Sequence, residues 1–464
     1  MSNAKSANAN GGRTASLDFG VRGWILIIYC FMSFLLGGAF LGVWQLDVMA
    51  NTEILGWNSD KILQLMNIAG VIVCLSQIAI SPAMTKAKFN LSRISYTMFL
   101  LFGIACLGMG WQAQSVVAYN IFFVLGYFFN QFQSILINNM ITGNWFPHRR
   151  TMVVGITSMA IPLGSTIGSG LYAVLMNSLG HFGMMVLYFA VSAVFFGVGL
   201  VFVKDYPEMV GEYPDNDKSV SRDQLNKEFQ LMKAMQDNNV WSIKTLLTNK
   251  TVWIMILTAV ATFNINGIFL AQCVNRLFMY GTYDFNQART VLTIAGVASI
   301  FGSFGCGLID SWFTTKKLVI FMLGTGALAT LLQLSNSYTV IIIGTVICGF
   351  ILGGSSNVVL TMSAETFPRE SMGGAQAIIQ PVMNLIVMGL NAAYLMVAAA
   401  AQSYKPVYIF YICMAVVAIL LVLFKYDPAQ VRLQDEELKQ ASGYYEKMEE
   451  ARKIIEAGEC EFDH

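Results

Sequence analysis

Between Trp24 and Phe424 the chain alternates long apolar runs with short polar breaks. Each run is about 20 residues or a little longer, the length that carries an α-helix across a hydrocarbon core. Twelve such spans are expected, at 23–50, 61–84, 93–113, 116–143, 151–177, 182–203, 251–279, 287–311, 316–335, 338–364, 371–399 and 405–425. Runs such as Thr339–Leu360 hold no charged residue. The runs lack a two-residue alternation and are too long for barrel strands, which excludes a β-barrel. The pattern therefore predicts an all-α membrane protein with 12 transmembrane helices.

The spans fall as six and six around a polar interval. This divides the chain into an N-terminal tail (1–22), a first six-helix half (23–203), a central loop (204–250), a second half (251–425) and a C-terminal tail (426–464). Composition agrees: 56% of residues are hydrophobic and only 12% are charged, with the charges placed almost entirely between the runs. The net charge of +1 says nothing about partners, but its distribution does. With the N-terminus inside, most Lys and Arg fall on the cytoplasmic side, from Arg22 and Arg93 through Arg149, Arg150 and the central loop to Lys316, Lys317 and Arg369. Lys61, Arg276, Arg289 and Lys405 alone face outward, so both termini are expected in the cytoplasm. The polar first 20 residues do not resemble a secretory signal, no organelle address is visible, and a plasma membrane of bacterial type is expected.

Ser221–Asn238 predicts a cytoplasmic amphipathic helix resting on Leu225, Phe229, Leu231 and Met232. The charged tail from Arg432 to His464 is expected to be helical and solvated. The cysteines show no metal-ligand spacing and act as small apolar fillers. No nucleotide-binding loop, metal cluster or nucleophile constellation appears, so neither an enzyme nor a cofactor is expected, nor a nucleic-acid partner. His148, His181 and His464 stand isolated along the chain, outside the membrane core.

Candidate chemistry inside the membrane is amide, hydroxyl and aromatic. On a 3.6-residue period, Gln376, Gln380, Asn384 and Asn391 fall on one face of span 11, and Gln131, Ser134, Asn138 and Thr142 on one face of span 4. Span 7 adds Asn264 and span 10 adds Asn357. Amides facing lipid would each cost about several kcal/mol, so these stripes face protein or water. Interhelical hydrogen bonding is the plainer role for any single one of them. Gln131, Asn138, Asn264, Asn357, Gln380 and Asn384 are the candidate substrate-binding residues. Asp47 and Arg276, near the outer ends of spans 1 and 7, are a candidate outer gate, with Asp47 expected to be hydrated. Arg149, Arg150, Asp310 and Glu365 are a candidate inner gate in the loops. Glycines in span 1 (Gly37, Gly38, Gly42) and span 5 (Gly164, Gly168, Gly170) read as close helix contacts.

The halves repeat one another. Asn144-Trp145-Phe146-Pro147-His148-Arg149-Arg150 follows span 4 and precedes a Gly-rich span with Pro162. Glu365-Thr366-Phe367-Pro368-Arg369-Glu370 follows span 10 and precedes a span with Gly373, Gly374 and Pro381. With the loop Gly307-Leu308-Ile309-Asp310-Ser311-Trp312-Phe313-Thr314-Thr315-Lys316-Lys317, this layout resembles the major facilitator superfamily over essentially the whole membrane region. Phe146-Pro147-His148-Arg149-Arg150-Thr151 with Gly155 is similar to that superfamily's oxalate/formate antiporter and monocarboxylate-porter branch. The resemblance implies spans 1, 4, 7 and 10 around a central cavity. Basic residues that this branch places in spans 8 and 11 are missing at mid-depth here, which argues against oxalate itself.

The expected function is a monomeric secondary transporter, exchanger or symporter, that moves an organic anion such as a monocarboxylate or amphipathic acid. A membrane sensor that binds a small ligand without net transport is the alternative. With no Asp, Glu or His at mid-depth in spans 4, 5, 7, 8, 10 or 11, exchange is expected over proton coupling.

Overall fold

The computed structural model describes residues 18–57, 59–84, 90–112, 114–270, 276, 277, 283–312 and 314–457. At some helical positions, Asp310, Asn357 and Arg369 among them, only the backbone is described. Among the described residues there is no strand, and every expected span has a helix at its place. In the first half these are Gly20–Leu55, Ser59–Met84, Leu91–Trp111, Val116–Trp145, 150–179 and 181–202. In the second they are Lys250–Ile265 with a π-helical continuation Asn266–Leu270, Phe285–Trp312, Thr315–Gln333, Tyr338–Thr366, Arg369–Ala401 and Lys405–Phe424. Eleven are long and apolar enough to cross a membrane, and span 8 carries a shorter apolar stretch, Thr290–Ser303.

Local chemistry sets the helix ends. The side chains of Asn90 and Ser115 accept backbone N–H bonds at the starts of spans 3 and 4. Spans 5 and 6 meet at Gly180, whose φ of 67° suits glycine and breaks an otherwise continuous helix. Span 1 lies directly on span 5: a Cβ at Gly38 would come 2.1 Å from the Ile161 carbonyl oxygen, and one at Gly164 would come 2.0 Å from that of Leu35. Gly37, Gly38, Gly42, Gly164 and Gly168 are thus helix contacts that admit no larger side chain, whereas a Cβ on Gly170 would meet nothing within 4 Å and that glycine is no such contact.

Each half has its own core. In the first, Trp44 stacks on Phe123 with ring centroids 4.0 Å apart. The second is built around Met255, Met322, Ile351 and Tyr411. Ala377 of span 11 is buried in the core of the first half, one place where the two halves interlock. Span 2 packs along span 11 and span 5 along span 8.

One face of the bundle, termed the inner face, carries both ends of the described chain and the central loop. Here the amphipathic helix forms as Arg222–Asp237, capped by Ser221 and burying Leu225, Phe229 and Met232. Phe229 and Met232 cluster with Tyr206 at the end of span 6, and Tyr206 donates a hydrogen bond to Gln236 (2.8 Å). Asp205 accepts the amides of Leu91 and Ser92 at 2.8 and 2.6 Å and so caps span 3; burial pushes its carboxyl up while those bonds pull it back.

The tail differs from the solvated extension its charge predicts. It folds as Pro428–Ala441 and Tyr444–Glu456, and the second helix packs on the central-loop helix. Asp435, buried at 3% exposure, accepts from Trp241 Nε1 (2.8 Å) and pairs with Lys439 (2.6 Å). The reason is that the tail's apolar residues, Val431, Tyr444, Met448 and Ile455, fall on one side of each helix and are buried.

Candidate functional site

The Phe-Pro repeat places a buried cation at the inner end of span 5. Proline cannot continue a helix, and the residue before it is pushed out of the α region. Span 4 accordingly stops at Trp145, with Phe146 at φ −127°, ψ 61°, and span 10 stops at Thr366, with Phe367 extended. Span 5 restarts at Arg150 and span 11 at Arg369. Asp215 accepts the amides of His148 (2.9 Å) and Arg149 (3.1 Å), holding the turn between spans 4 and 5 in place.

Arg150 then reaches across the boundary between the halves. Its Nη2 donates to Gln376 Oε1 of span 11 at 2.6 Å and to the Asn139 carbonyl of span 4 at 3.2 Å, and its Nη1 lies 3.0 Å from Met372 Sδ. The residue is only 8% exposed, its Nε has no hydrogen-bond partner, and among the described residues no carboxylate pairs with it. It precedes the apolar stretch Met152–Tyr172. A guanidinium is not deprotonated in proteins, so the residue carries a full positive charge. Gln376, 3% exposed, likewise has a buried Nε2 without a partner.

The amide stripe of span 11 leads away from this seam. One turn on, Gln380 is buried at 8% exposure with no side-chain hydrogen bond, and Asn384 after it is half-buried. Asn264 of span 7 is fully buried, with neither its Oδ1 nor its Nδ2 bonded, immediately before the π-helical segment. The span 4 stripe is not one face in the structure. Phe132–Ile137 is π-helical, and the extra residue per turn rotates the end of the span out of the 3.6-residue phase. Asn138 therefore accepts from Ser95 of span 3 (2.8 Å), which also bonds Tyr29 (2.9 Å); Gln133 donates to Tyr29 in turn (3.2 Å). This network lies inside the first half. Gln131 is half-buried, and the side chain of Asn357 lies outside the described residues.

Asp47 and Arg276 sit in separate clusters. Asp47 is 1% exposed, not hydrated, and accepts from Tyr172 (2.6 Å) and Tyr119 (3.2 Å), with His181 Nε2 at 2.8 Å. His181 is thus not isolated, although sequence separation hides its partner. The signal available is its level: it follows the Gly180 turn at the outer end of span 6, the end at which Asp47 leaves span 1. Arg276 donates to the side chain of Gln333 (2.5 Å) and to its carbonyl, and lies 4.9 Å above the Tyr408 ring.

On the inner face, Arg149 bonds the Asp18 carbonyl (2.8 Å) and covers the Phe19 ring, within the first half. Glu365 accepts from Tyr426 (3.2 Å), and its carbonyl takes Arg432 Nη2 (2.6 Å), within the second half and its tail. The Asp310 side chain lies outside the described residues. Of the four inner candidates, Arg150 is the one seen bonding across the boundary.

A family model described as Major Facilitator Superfamily matches residues 25–312 and 278–455. No curated protein sequence matches the chain. Among solved structures, the fold is similar to that of the proton:xylose symporter XylE bound to 6-bromo-6-deoxy-D-glucose, with a TM-score of 0.65 at 16% identity, covering 86% of this chain and 96% of that one. It is also similar to the transporter FucP in the outward conformation, with a TM-score of 0.62 at 12% identity, covering 86% and 99%. At these identities the likeness is one of fold.

Proposed function

The chain belongs to the major facilitator superfamily and is a multi-pass membrane transporter rather than an enzyme, and we propose that it carries a small organic anion by alternating access, as an exchanger or symporter. The observation that carries this reading is the polar path along span 11, from Asn384 through Gln380 and Gln376, which ends at a buried cation with no acidic partner among the described residues. An anion moving along it meets amide donors and then a positive charge. The likeness of Phe146–Thr151 to the oxalate/formate and monocarboxylate branch supports the same substrate class.

In this reading the structure is the state closed at the inner face, where Arg150, Met372 and Gln376 join the halves. Spans 1, 4, 7 and 10 line the route, and Gln380, Asn384 and Asn264 contact the substrate. The positive-inside charge distribution supports a cytoplasmic inner face. A neutral polyol is a second reading: Asn264 offers both donor and acceptor valences, and XylE binds a sugar analogue.

Counterflow in proteoliposomes tests both. Vesicles preloaded with an unlabelled monocarboxylate should accumulate the labelled acid, faster than under an imposed pH step, while labelled xylose stays at background. Xylose counterflow without carboxylate counterflow would reverse the assignment. Binding without any flux would make the protein a sensor.

A further inference from the structure

We propose that Arg150 is the receptor for the substrate's carboxylate, and that Gln376 keeps its place while the site is empty. This rests on the anion reading and deepens it.

A guanidinium has five N–H donors and no acceptor. Arg150 spends its bonds on neutral groups: the Gln376 amide oxygen, a helix carbonyl of Asn139, and the Met372 sulfur, a weak acceptor. Its Nε is left over, and so is the Nε2 of the very amide it binds. Two buried donors without acceptors thus belong to one bonded pair of side chains, and that pair carries a full positive charge. Burying such a charge without a counter-charge is unfavourable, so a purely structural bridge here would do better with an acid or with two apolar residues.

A carboxylate supplies what is missing. It accepts only, it offers two oxygens, and it brings one negative charge. The edge of a guanidinium formed by Nε and one Nη matches it bidentately. A neutral polyol would fill the donors and leave the charge uncompensated. A dicarboxylate would add a second charge that no second cation at this seam meets among the described residues. The class is therefore a monocarboxylate.

Position gives the receptor a second consequence. The bond from Arg150 to Gln376 ties span 5 to span 11 across the boundary. A carboxylate on Arg150 competes with Gln376 Oε1 for the same guanidinium, so loading loosens the tie that closes the inner face. An empty carrier must break that bond with nothing to replace it. Loaded reorientation is then faster than empty reorientation, which favours exchange over net flux.

The test uses the purified full-length protein and its melting temperature against a panel of sodium monocarboxylates, with sodium chloride, sodium phosphate and phosphatidylglycerol as separate arms. Wild type should be stabilised by at least one monocarboxylate. Arg150→Gln should bind it more weakly by about tenfold or more, and Arg150→Lys should also lose affinity, because the fork geometry is gone. Gln376→Glu supplies a tethered carboxylate: without ligand it should melt higher than wild type, and added acid should no longer shift it. Arg150→Met removes every donor of the receptor, so added acid should no longer shift its melting temperature. Equal shifts in wild type and Arg150→Gln would overturn this inference and leave the anion transporter standing. No shift in wild type with any acid would overturn both. Equal protection by phosphate or by phosphatidylglycerol would assign the cation to a phosphate group instead.

Discussion

His181 Nε2 lies 2.8 Å from Asp47 Oδ2, so the outer end of span 6 is fastened to span 1 through a carboxylate that water barely reaches. Tyr119 and Tyr172 donate to the same carboxylate and bring spans 4 and 5 into the cluster. Asp47→Ala should destabilise the first half, because each buried donor left without an acceptor costs about 1–3 kcal/mol. Thermal unfolding checks this. Asp47→Asn keeps one acceptor and should fall between wild type and Asp47→Ala.

Charge reversal at Asp47 and Arg276 should give additive losses. Each residue has partners in its own half: Tyr119, Tyr172 and His181 for one, Gln333 and Tyr408 for the other. Residues without shared partners couple by less than about 0.5 kcal/mol. Transport by the double mutant, compared with the two single mutants, measures it, and recovery in the double would mean that the pair forms in another state.

Gln380→Ala and Asn384→Ala should lower uptake while surface expression stays near wild type. Gln380 makes no side-chain hydrogen bond among the described residues, and Asn384 is half-buried, so neither change removes a contact that holds the fold. Uptake and expression measured in parallel separate the two effects. Normal uptake kinetics in both variants would remove them from the substrate path.

Asp435→Ala should unsettle the inner-face helices. It removes the acceptor of Trp241 Nε1 and the carboxylate paired with the buried Lys439 ammonium, and breaking a buried ion pair from one side costs about 3–5 kcal/mol. Faster proteolysis within residues 428–456 is the expected readout, while the membrane spans stay resistant.

Much of the site is legible along the chain, and the exceptions have causes. The Phe-Pro breaks put Arg150 at the first residue of span 5, since proline's effect on its neighbours is local. On span 11, Gln376 and Gln380 are both buried, as a regular period predicts. On span 4 the same reasoning fails because the π-helical segment Phe132–Ile137 changes the period, and nothing in the residue types announces it. The packing of the tail escapes its sequence for a different reason: its mean composition is polar, and burial depends on which side of the helix the few apolar residues share.

By itself the sequence determined the class, the number of spans and the two-half plan. Hydrocarbon thickness dictates the length of an apolar run, and unpaired backbone groups cannot face lipid, so runs of that length must be helices. Tertiary structure alone decided which polar side chains meet. Asp47 and His181 are 134 residues apart and Arg150 and Gln376 are 226 apart. Their meeting depends on how far each helix is rotated about its axis and where it crosses its neighbours. Those quantities come from close contacts such as Gly38 on Ile161, and these form only when whole helices pack together.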